Sequence, residues 1–401
     1  MFCVRKVTED LYWVGGNDKR LALFENIHPI PRGVSYNSYL LLDKKTVLFD
    51  TVDWSISRQF LENIEAVLKD RKLDYLVINH MEPDHAASLE EIIIRYPNVK
   101  IIATEKAFLL MRQFGFDVDG REIEVKDGDS MSFGKHEIQF YTAPMVHWPE
   151  VMVSFDTKNG VLFSADAFGS FGSLDGKLFN DEVNFNRDWI VDARRYYTNI
   201  VGKYGPHVQA LLKKASNLDI KMICPLHGPV WRTDLGYFID KHDKWSKYEP
   251  EEKAVMIVYA SMYGNTESAA NVLASKFVEK GITNIVMYDV SNTHVSDLIA
   301  ETFRVSHIVL ASVTYNLGIY PLMHNYLTDM KALNVQNRTF ALIENGSWAT
   351  QSGKLMAKCL EELKNIEILD DKMSIVSSMK EDNKVDMDAL VDGVIESMNK
   401  K

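Results

Sequence analysis

The chain has 401 residues, 46% of them hydrophobic and 25% charged, which is the composition of a folded globular protein with two or three domains. Its 45 basic and 56 acidic residues give a formal charge of -11, which disfavours nucleic acid or an anionic membrane as the main partner. Three cysteines without a Cys-x-x-Cys pair exclude a disulfide framework or a cysteine-ligated metal site. The sequence has neither a secretory signal pattern nor an apolar run near the roughly 18 residues of a membrane span, so we expect a cytoplasmic protein.

The second part of the chain has the pattern of a parallel α/β sheet. The charged segment Asp240–Lys253 predicts a linker before it, so we expect domains at 1–250 and 251–401. Short apolar runs then alternate with amphipathic stretches, which is typical of parallel strands joined by helices in a doubly wound sheet. The predicted strands are Ala254–Ala260, Asn284–Asp289, His307–Ser312 and Thr339–Glu344, and the predicted helices are Glu267–Lys280, Ser296–Thr302, Tyr320–Leu333 and Gly353–Asn365.

The first part has more predicted strands than helices, and turns rich in Gly and Asp join several of them, which favours an α/β sandwich with mixed sheets. The predicted strands are Tyr39–Leu42, Thr46–Asp50, Tyr75–Asn79, Ile101–Thr104, Glu137–Tyr141, Val151–Phe155 and Gly160–Ser164, with helices at Ser57–Lys69 and Leu89–Tyr96.

The segment VINHMEPDHAASL, residues 77–89, places four possible metal ligands directly after an apolar strand. His80, Glu82 and Asp84 alternate, so an extended loop can point all three side chains the same way, and His85 follows at once. Taken alone, this segment could also be a solvated turn.

Three further candidates occupy the same kind of position. His147 in APMVHWPEVM, Asp166 in FSADAFG and His227 in ICPLHGP each follow an apolar run and precede a turn. Ligands at strand ends are what a metal site at the edge of a β-sandwich requires. His136 and His207 lack this context, so we expect both at the surface.

The donor set indicates the kind of metal. Four neutral imidazoles and three carboxylates carry three negative charges, which two divalent ions and one bridging hydroxide would neutralise. Mixed histidine and carboxylate ligation without a thiolate suits non-haem iron or manganese, and zinc is also compatible.

Three loops in the second part suit a phosphate-bearing ligand. The first offers hydroxyls, a glycine and backbone N–H groups at a helix N-terminus, although such turns are also ordinary helix caps. All three follow predicted parallel strands, where a doubly wound sheet binds its ligand; Walker and dinucleotide motifs are absent. The loops comprise Ser261, Met262, Tyr263, Gly264, Asn265 and Thr266; Val313, Thr314, Tyr315, Asn316, Leu317 and Gly318; and Asn345, Gly346, Ser347 and Trp348.

The order His-x-Glu-x-Asp-His, His, Asp, His resembles the ligand pattern of the metallo-β-lactamase fold, with Glu82 where its hydrolases mostly have a second histidine. The three loops resemble the phosphate loop and the two isoalloxazine loops of flavodoxins, although Val313 stands where relatives often have proline. Over essentially all 401 residues, the chain resembles the flavodiiron proteins (A-type flavoproteins), which implies a metallo-β-lactamase-like αββα sandwich followed by a flavodoxin-like domain.

The resemblance implies an oxidoreductase that reduces dioxygen to water, nitric oxide to nitrous oxide, or both, at a di-iron centre supplied with electrons by FMN. We expect His80, Glu82 and His147 around one iron and Asp84, His85 and His227 around the other, with Asp166 as the bridge. We expect FMN rather than FAD in the three loops because only one phosphate cradle is present, with Trp348, Met262 and Tyr263 against its ring.

The resemblance also implies pocket residues and partners. Glu25 stands in a segment where the family often has a histidine, and we expect it to line the substrate pocket with Tyr196 and Tyr197. Electrons are expected from a separate donor, either a rubredoxin-like protein or a reduced cofactor. A head-to-tail homodimer, or a dimer of such dimers, would set one chain's flavin beside its partner's iron.

Two alternatives follow from the same residues. One is a two-zinc hydrolase of the metallo-β-lactamase fold with an attached flavodoxin-like domain, which would need no flavin. The other is an electron carrier with a structural metal site, which should be coordinatively closed.

Overall fold

The computed structural model describes residues 2–400. These residues form two compact units, an N-terminal unit that ends at Asp243 and a C-terminal unit that begins at Lys244. No helix among them combines the length and the apolar character needed to cross a membrane.

The N-terminal unit contains two main sheets. A seven-stranded sheet has the order β1-β2-β7-β8-β9-β10-β11 and a five-stranded sheet the order β12-β13-β14-β15-β16, while β3 pairs with β6 and β4 with β5. The strands are β1 Arg5–Lys6, β2 Leu11–Trp13, β3 Gly16–Asp18, β4 Leu23–Phe24, β5 His28–Pro29, β6 Val34–Tyr36, β7 Tyr39–Leu42, β8 Thr46–Phe49, β9 Tyr75–Val77, β10 Lys100–Ala103, β11 Glu122–Glu124, β12 Ser130–Ser132, β13 Glu137–Thr142, β14 Met152–Asp156, β15 Val161–Phe163 and β16 Met222–Cys224.

Aromatic side chains join the two sheets. Phe49 of β8 stacks on Phe163 of β15 with ring centroids 3.8 Å apart, and Tyr39 of β7 meets the same ring at 5.6 Å. Every residue of β8 and β15 is buried, as expected for strands covered on both faces. The predicted sandwich with mixed sheets is confirmed, since β8 to β11 run parallel and β1, β2, β7 and β8 antiparallel.

Helices cover the outer faces of this unit. In α1, Phe60, Ile64 and Val67 point inward at helical spacing. The helices are α1 Ser57–Leu68, α2 Pro83–Ala86, α3 Leu89–Arg95, α4 Glu105–Gln113, α5 Phe185–Asp188, α6 Ile190–Tyr196, α7 Gly205–Ala215 and α8 Leu235–Ser246. A π-helical turn, Tyr197–Val201, directly follows α6; such turns are frequent near functional sites.

The C-terminal unit is the predicted doubly wound sheet. Its parallel strands have the order β18-β17-β19-β21-β22, and the short β20 pairs with β19. The chain moves outward in opposite directions from β17 and β19, so the carboxyl ends of these two strands form the switch point at which such sheets bind ligands. The elements are β17 Glu252–Ala260, α9 Asn265–Glu279, β18 Ile285–Asp289, α10 Val295–Arg304, β19 Val305–Tyr315, β20 Gly318–Ile319, α11 Pro321–Ala332, β21 Thr339–Asn345, α12 Ser352–Leu360, β22 Glu367–Ile375 and α13 Asn383–Lys400.

The structure corrects the predicted linker. Residues 240–246 of the segment Asp240–Lys253 lie in α8, and residues 252–253 already belong to β17. The segment looked like a linker because it is rich in charge, yet α8 buries Phe238, His242 and Trp245 along one side. The predicted helix Gly353–Asn365 is also too long, since α12 ends at Leu360.

Candidate metal centre and cofactor cavity

The seven predicted ligands come from loops at the ends of core strands. His80 and Glu82 follow β9, Asp84 and His85 lie in α2, and His147 lies between β13 and β14. Asp166 follows β15 and His227 follows β16, which run parallel to one another. Strand ends therefore deliver all seven side chains to one place, and we call these seven residues the metal-facing cluster.

The donor atoms of this cluster form two groups that share Asp166. Those of His80, Glu82, His147 and Asp166 lie within 4.8 Å of one another, and so do those of Asp84, His85 and His227. Asp166 Oδ2 is 3.2 Å from Nε2 of both His80 and His147, whereas Oδ1 is 3.2 Å from Nε2 of His85 and 3.6 Å from Nε2 of His227. One carboxylate thus turns one oxygen toward each group.

Several buried atoms of the cluster lack a hydrogen-bond partner among the described residues. They include both carboxylate oxygens of Asp84, Nε2 of His85 and of His227, and Oδ1 of Asp166. Each unsatisfied buried polar atom costs about 1–3 kcal/mol, so this arrangement is costly unless something binds there. The orphaned atoms are the nitrogen and oxygen donors that a transition-metal pair uses, and the residues therefore fit such a metal site.

Electrostatics of the cluster are dominated by burial and by close opposite charges. Burial raises the pKa of Asp84 to about 7, helped by the neighbouring carboxylates of Glu82 and Asp166. Burial alone would lower the pKa of His147, but hydrogen bonds to Asp166 and Glu82 raise it to about 9. Although burial opposes it, the surrounding histidines hold the pKa of Asp166 well below its usual range. When no metal is bound, the protonated ring of His147 therefore serves as a cation beside Asp166 and Glu82, and metal binding would displace its proton.

Buried residues that the sequence analysis did not predict hold these ligands in place. Asp50 accepts hydrogen bonds from the backbone and side chain of Asn79, both at 2.7 Å, and from the His80 backbone at 3.2 Å. Glu150 Oε1 accepts from His80 Nδ1 at 2.8 Å, and His227 Nδ1 donates to the Ser35 carbonyl at 2.7 Å. The position of Glu150, three residues after His147, is the only sequence signal that could have indicated its role.

Two of the three predicted pocket residues lie beside the cluster. The Tyr196 ring is 5.3 Å from the His227 ring, and its buried hydroxyl has no hydrogen-bond partner among residues 2–400. Glu25 is a central residue of the tight turn between β4 and β5, with a φ of 49°. Burial and the nearby carboxylate of Glu82 raise the pKa of Glu25 to about 8. Tyr197 instead packs its ring against His242 at 5.2 Å.

The expectation that His136 lies at the surface is wrong. Its side chain is fully buried, with Nδ1 2.9 Å from Asp156 Oδ2 and Nε2 2.8 Å from Asp10 Oδ2. His136 precedes β13, and its two acidic partners are too distant in sequence to reveal the contact. His207, by contrast, is exposed as predicted.

The three predicted loops surround a cavity of about 320 Å³ at the carboxyl ends of β17, β19 and β21. Fourteen of the sixteen predicted residues line it; the exceptions are Gly264 and Gly318. Ala349 and Ser377 line it in addition. The lining residues are Ser261, Met262, Tyr263, Asn265, Thr266, Val313, Thr314, Tyr315, Asn316, Leu317, Asn345, Gly346, Ser347, Trp348, Ala349 and Ser377.

The cavity offers an anion cradle next to exposed aromatic rings. Gly264 precedes α9 with a φ of 88°, and no side chain caps the helix N-terminus. A Cβ at Gly264 would meet nothing within 4 Å, so this backbone is open to a ligand. Tyr263 and Trp348 are 89% and 83% exposed, which leaves their ring faces available. A phosphate and an aromatic ring system, as in FMN, fit these groups.

Comparisons with known proteins place the chain in a family. A family model described as "ODP family beta lactamase" matches residues 34–228, and a flavodoxin model matches residues 257–374. The chain is 33% identical over 348 residues to the anaerobic nitric oxide reductase flavorubredoxin of Aeromonas hydrophila, covering 85% of this chain and 70% of that protein. It is 31% identical to a nitric oxide reductase of Moorella thermoacetica, with 90% of each chain covered. The chain belongs to the flavodiiron protein family.

Solved structures of this family show the same fold. The rubredoxin oxygen:oxidoreductase of Desulfovibrio gigas matches with a TM-score of 0.92 and 28% identity over 99% of both chains. The flavodiiron protein of Giardia intestinalis matches with a TM-score of 0.89 at 24% identity, covering 100% of this chain and 98% of that one. The predicted metallo-β-lactamase-like and flavodoxin-like folds are confirmed, and this flavodiiron protein is an oxidoreductase. A hydrolase is not favoured.

Proposed function

We propose that the metal-facing cluster holds two iron ions bridged by Asp166. His80, Glu82 and His147 would bind one ion, and a second group of three residues, Asp84, His85 and His227, would bind the other. The observation that carries the proposal is the placement of Asp166, whose two oxygens face the two groups at 3.2 Å or slightly more. Three ligands and a shared carboxylate leave open positions on each ion, unlike a closed structural site.

We propose that the cavity in the C-terminal unit binds FMN. The N–H groups at the start of α9 would hold its single phosphate, since helix N-termini favour anions. Asn345 stands opposite, donating hydrogen bonds to Thr266 Oγ1 at 3.2 Å and to the Ser377 carbonyl at 3.1 Å. Its buried Oδ1 has no hydrogen-bond partner among the described residues, so it can accept one from a ligand.

A pair of glycines allows a matched test of this cavity. Gly264 and Gly281 share a φ of 88° and have open space where a Cβ would stand, but of the two only Gly264 stands between residues that line the cavity, Tyr263 and Asn265. A side chain is strained to a similar degree at both positions. Gly264→Ala should weaken FMN binding at least tenfold, measured by fluorescence titration of the flavin-free protein, while Gly281→Ala should not. Equal affinities would contradict the cradle, and release of FAD from the purified protein would contradict FMN.

With both cofactors, the reaction we propose is the reduction of nitric oxide to nitrous oxide, of dioxygen to water, or of both. Two nitric oxide molecules take up two electrons and two protons, and one dioxygen takes up four of each. The iron pair, when bound, would supply two electrons and open coordination positions, and FMN hydroquinone would supply two more electrons. The names of the related proteins, nitric oxide reductase and oxygen oxidoreductase, support this reaction class.

The chain's own residues would supply protons and exclude water. Burial and the nearby carboxylate of Glu82 raise the pKa of Glu25, so this side chain can hold a proton beside Glu82 and deliver it. The buried Tyr196 hydroxyl can donate a hydrogen bond to a molecule in the pocket. The buried rings of Phe24 and Phe171 pack against Tyr196 at 6.3 and 5.2 Å, which keeps this side of the cluster apolar. Preference between the two gases would depend on Glu25 and Tyr196.

The direct test is anaerobic reduction followed by exposure to each gas. The protein loaded with iron and FMN should consume nitric oxide or dioxygen, with nitrous oxide or water as product and without release of peroxide. A matched protein loaded with zinc and FMN should consume far less because zinc is redox-inert. Equal rates with zinc and iron, or no consumption by the iron protein, would overturn the proposal.

We further propose a cytoplasmic protein that receives electrons from a separate donor, either a rubredoxin-like protein or a reduced cofactor. We also propose a head-to-tail dimer, or a dimer of such dimers, because electron transfer requires flavin and iron to lie close together, and most soluble homo-oligomers are closed and symmetric. Complementation tests this assembly. A variant without iron ligands (His80→Ala with Asp166→Ala) and one without the cradle (Asn265 and Thr266 replaced) should each be inactive alone. Mixed dimers isolated with two tags should regain activity; inactive mixed dimers would contradict transfer between subunits.

A further inference from the structure

His242 is a buried histidine outside the metal-facing cluster that contacts the loop carrying Asp166. It belongs to α8 and is 2% exposed. Its Nε2 accepts a hydrogen bond at 3.2 Å from the backbone N–H of Phe168, two residues after Asp166. No backbone carbonyl among residues 2–400 accepts this N–H, so the imidazole supplies the acceptor that the buried loop needs.

The loop after β15 needs outside support because its backbone is strained on both sides of Asp166. Ala165 has a φ of 50° and Phe168 a φ of 66°, in the left-handed region that residues with a side chain rarely adopt. Such a conformation persists only where the surrounding structure fixes it. The Ala165 carbonyl accepts from the Leu226 N–H at 3.0 Å, and His242 holds Phe168 on the other side of the ligand.

Hydrogen bonds fix which ring nitrogen of His242 carries the proton. A backbone N–H can only donate, so Nε2 is the bare nitrogen, and Nδ1 donates to the Phe238 carbonyl at 3.0 Å. Burial lowers the pKa of His242 to about 3, which agrees with a neutral ring. Three aromatic rings hold the imidazole in place, with the centroids of Phe168 and Phe238 at 4.4 and 4.5 Å and that of Tyr197 at 5.2 Å.

We infer that His242 is a positioning residue that holds Asp166 between the two groups of the metal-facing cluster by accepting the N–H of Phe168. The inference rests on the proposed iron pair. Asp166 is the ligand that both groups share, with Oδ2 toward one group and Oδ1 toward the other. A displacement of its loop would therefore weaken both groups at once. Replacing residues that support metal ligands typically weakens metal binding about 10- to 100-fold.

The unaltered protein provides the first test. Zinc takes the place of iron because it is diamagnetic, and the protein carries FMN and isotope-labelled histidine. The nitrogen NMR shifts of His242, assigned through its proximity to the Phe168 N–H, should show a proton on Nδ1 and a bare Nε2. A proton on Nε2 would overturn the inference, because that nitrogen could not then accept a hydrogen bond.

A pair of variants provides the second test, since a glutamine amide can take the place of Nε2 and an asparagine amide that of Nδ1. His242→Asn removes the acceptor for Phe168. Half of its iron should be lost at about one tenth of the chelator concentration that removes half from the unaltered iron- and FMN-loaded protein. His242→Gln should resemble the unaltered protein. His307, a buried histidine of the C-terminal unit, provides the control: His307→Asn should not change the retention of iron.

The two amide variants separate this role from a general loss of packing. Equal iron retention in His242→Asn and His242→Gln would overturn the inference, and so would an equal loss in His307→Asn. If His242→Asn does not fold, His242→Phe takes its place, because phenylalanine keeps a ring and removes both nitrogens; if neither folds, the NMR test decides. An unaltered protein that binds no iron pair would instead overturn the proposed function.

Discussion

Two clusters in the N-terminal unit combine buried histidines with carboxylates but have opposite properties. The metal-facing cluster has four histidines and three acids, and many of its donor atoms lack a hydrogen-bond partner among the described residues. The second, which we call the His136 cluster, consists of His136, Asp10, Asp156 and Lys158. Within it, each ring nitrogen of His136 meets a carboxylate and Lys158 Nζ lies 3.0 Å from Asp10 Oδ2.

The difference shows how a metal site can be distinguished from a structural ion pair. Both clusters have buried histidines, and both contain shifted pKa values, so neither property separates them. The His136 cluster contains its own cation in Lys158, and its buried nitrogens are satisfied by protein atoms. The metal-facing cluster has an excess of unsatisfied acceptors around Asp84 and Asp166. Buried ligand atoms that face one another without a hydrogen-bond partner are therefore the better signal of a bound ion.

The largest expected effect is on metal content. Asp166→Asn removes the one charge that both groups share, so the purified protein should retain at most about one of two irons, since a buried pair of cations needs this anion. His136→Gln should retain both irons, measured by elemental analysis of proteins prepared in parallel. Equal loss of iron in the two variants would mean that the clusters do not differ in the way described.

The sequence indicated the residues of the metal-facing cluster because the segments that carry them follow core strands, and their donor atoms lie together in the structure. It missed the His136 cluster because Asp10 is 126 positions from His136 and meets it only after the two sheets pack, while Asp156 reaches His136 only through the pairing of β13 with β14. The same holds for Glu150, which acts on a residue 70 positions away. Contacts between loops of different sheets have no local pattern in the sequence.

The C-terminal unit shows a second limit of sequence analysis. Strands β17 and β19 were predicted because central parallel strands are long apolar runs. Strand β22 was not, since it lies at the sheet edge and contains Asp370, Asp371 and Lys372, which are exposed. Charged edge strands protect against aggregation, but they lack the apolar signature on which strand prediction depends.

The next largest effect concerns stability after metal removal. Without the two ions, the carboxylates of the metal-facing cluster repel one another and its buried ligand atoms again lack a partner. The protein should therefore unfold at a lower urea concentration. Ligand binding at a thousand times Kd stabilises a protein by about 4 kcal/mol, and we expect a loss of this size, measured by urea unfolding with and without chelator. The loss should be much smaller in Asp166→Asn, which has little metal to lose; an equal loss would assign the stabilisation to another site.

A smaller loss is expected when the His136 cluster is broken. His136→Gln leaves the buried Asp156 and the partly exposed Asp10 with one fewer positive charge, and breaking a buried ion pair costs about 3–5 kcal/mol. We expect the free energy of unfolding to fall by about 3 kcal/mol, at the lower end of this range, because glutamine can keep one hydrogen bond. The measurement is urea unfolding of the metal-loaded protein at pH 6. The exposed histidine on α7 provides the control: His207→Gln should change the unfolding free energy by less than about 0.5 kcal/mol.

The smallest expected effect is the pH dependence of that difference, and its sign follows from the contacts of His136. Burial disfavours the charged ring, yet hydrogen bonds to Asp156 and Asp10 raise its pKa above the usual 6.5, with Asp43 adding to this and the cation of Lys158 opposing it. A group whose pKa is raised by folding stabilises the protein fully below its unfolded pKa, and this contribution is lost as the pH rises through the folded pKa. The difference in unfolding free energy between the unaltered protein and His136→Gln should therefore be largest near pH 6 and shrink toward pH 9, by about 1.4 kcal/mol for each unit of pKa shift.

Both proteins would be unfolded in urea at several pH values, with His207→Gln alongside. A difference that stays constant from pH 6 to 9 would show that folding does not shift the pKa of His136, and that hydrogen bonds rather than charge hold this cluster together.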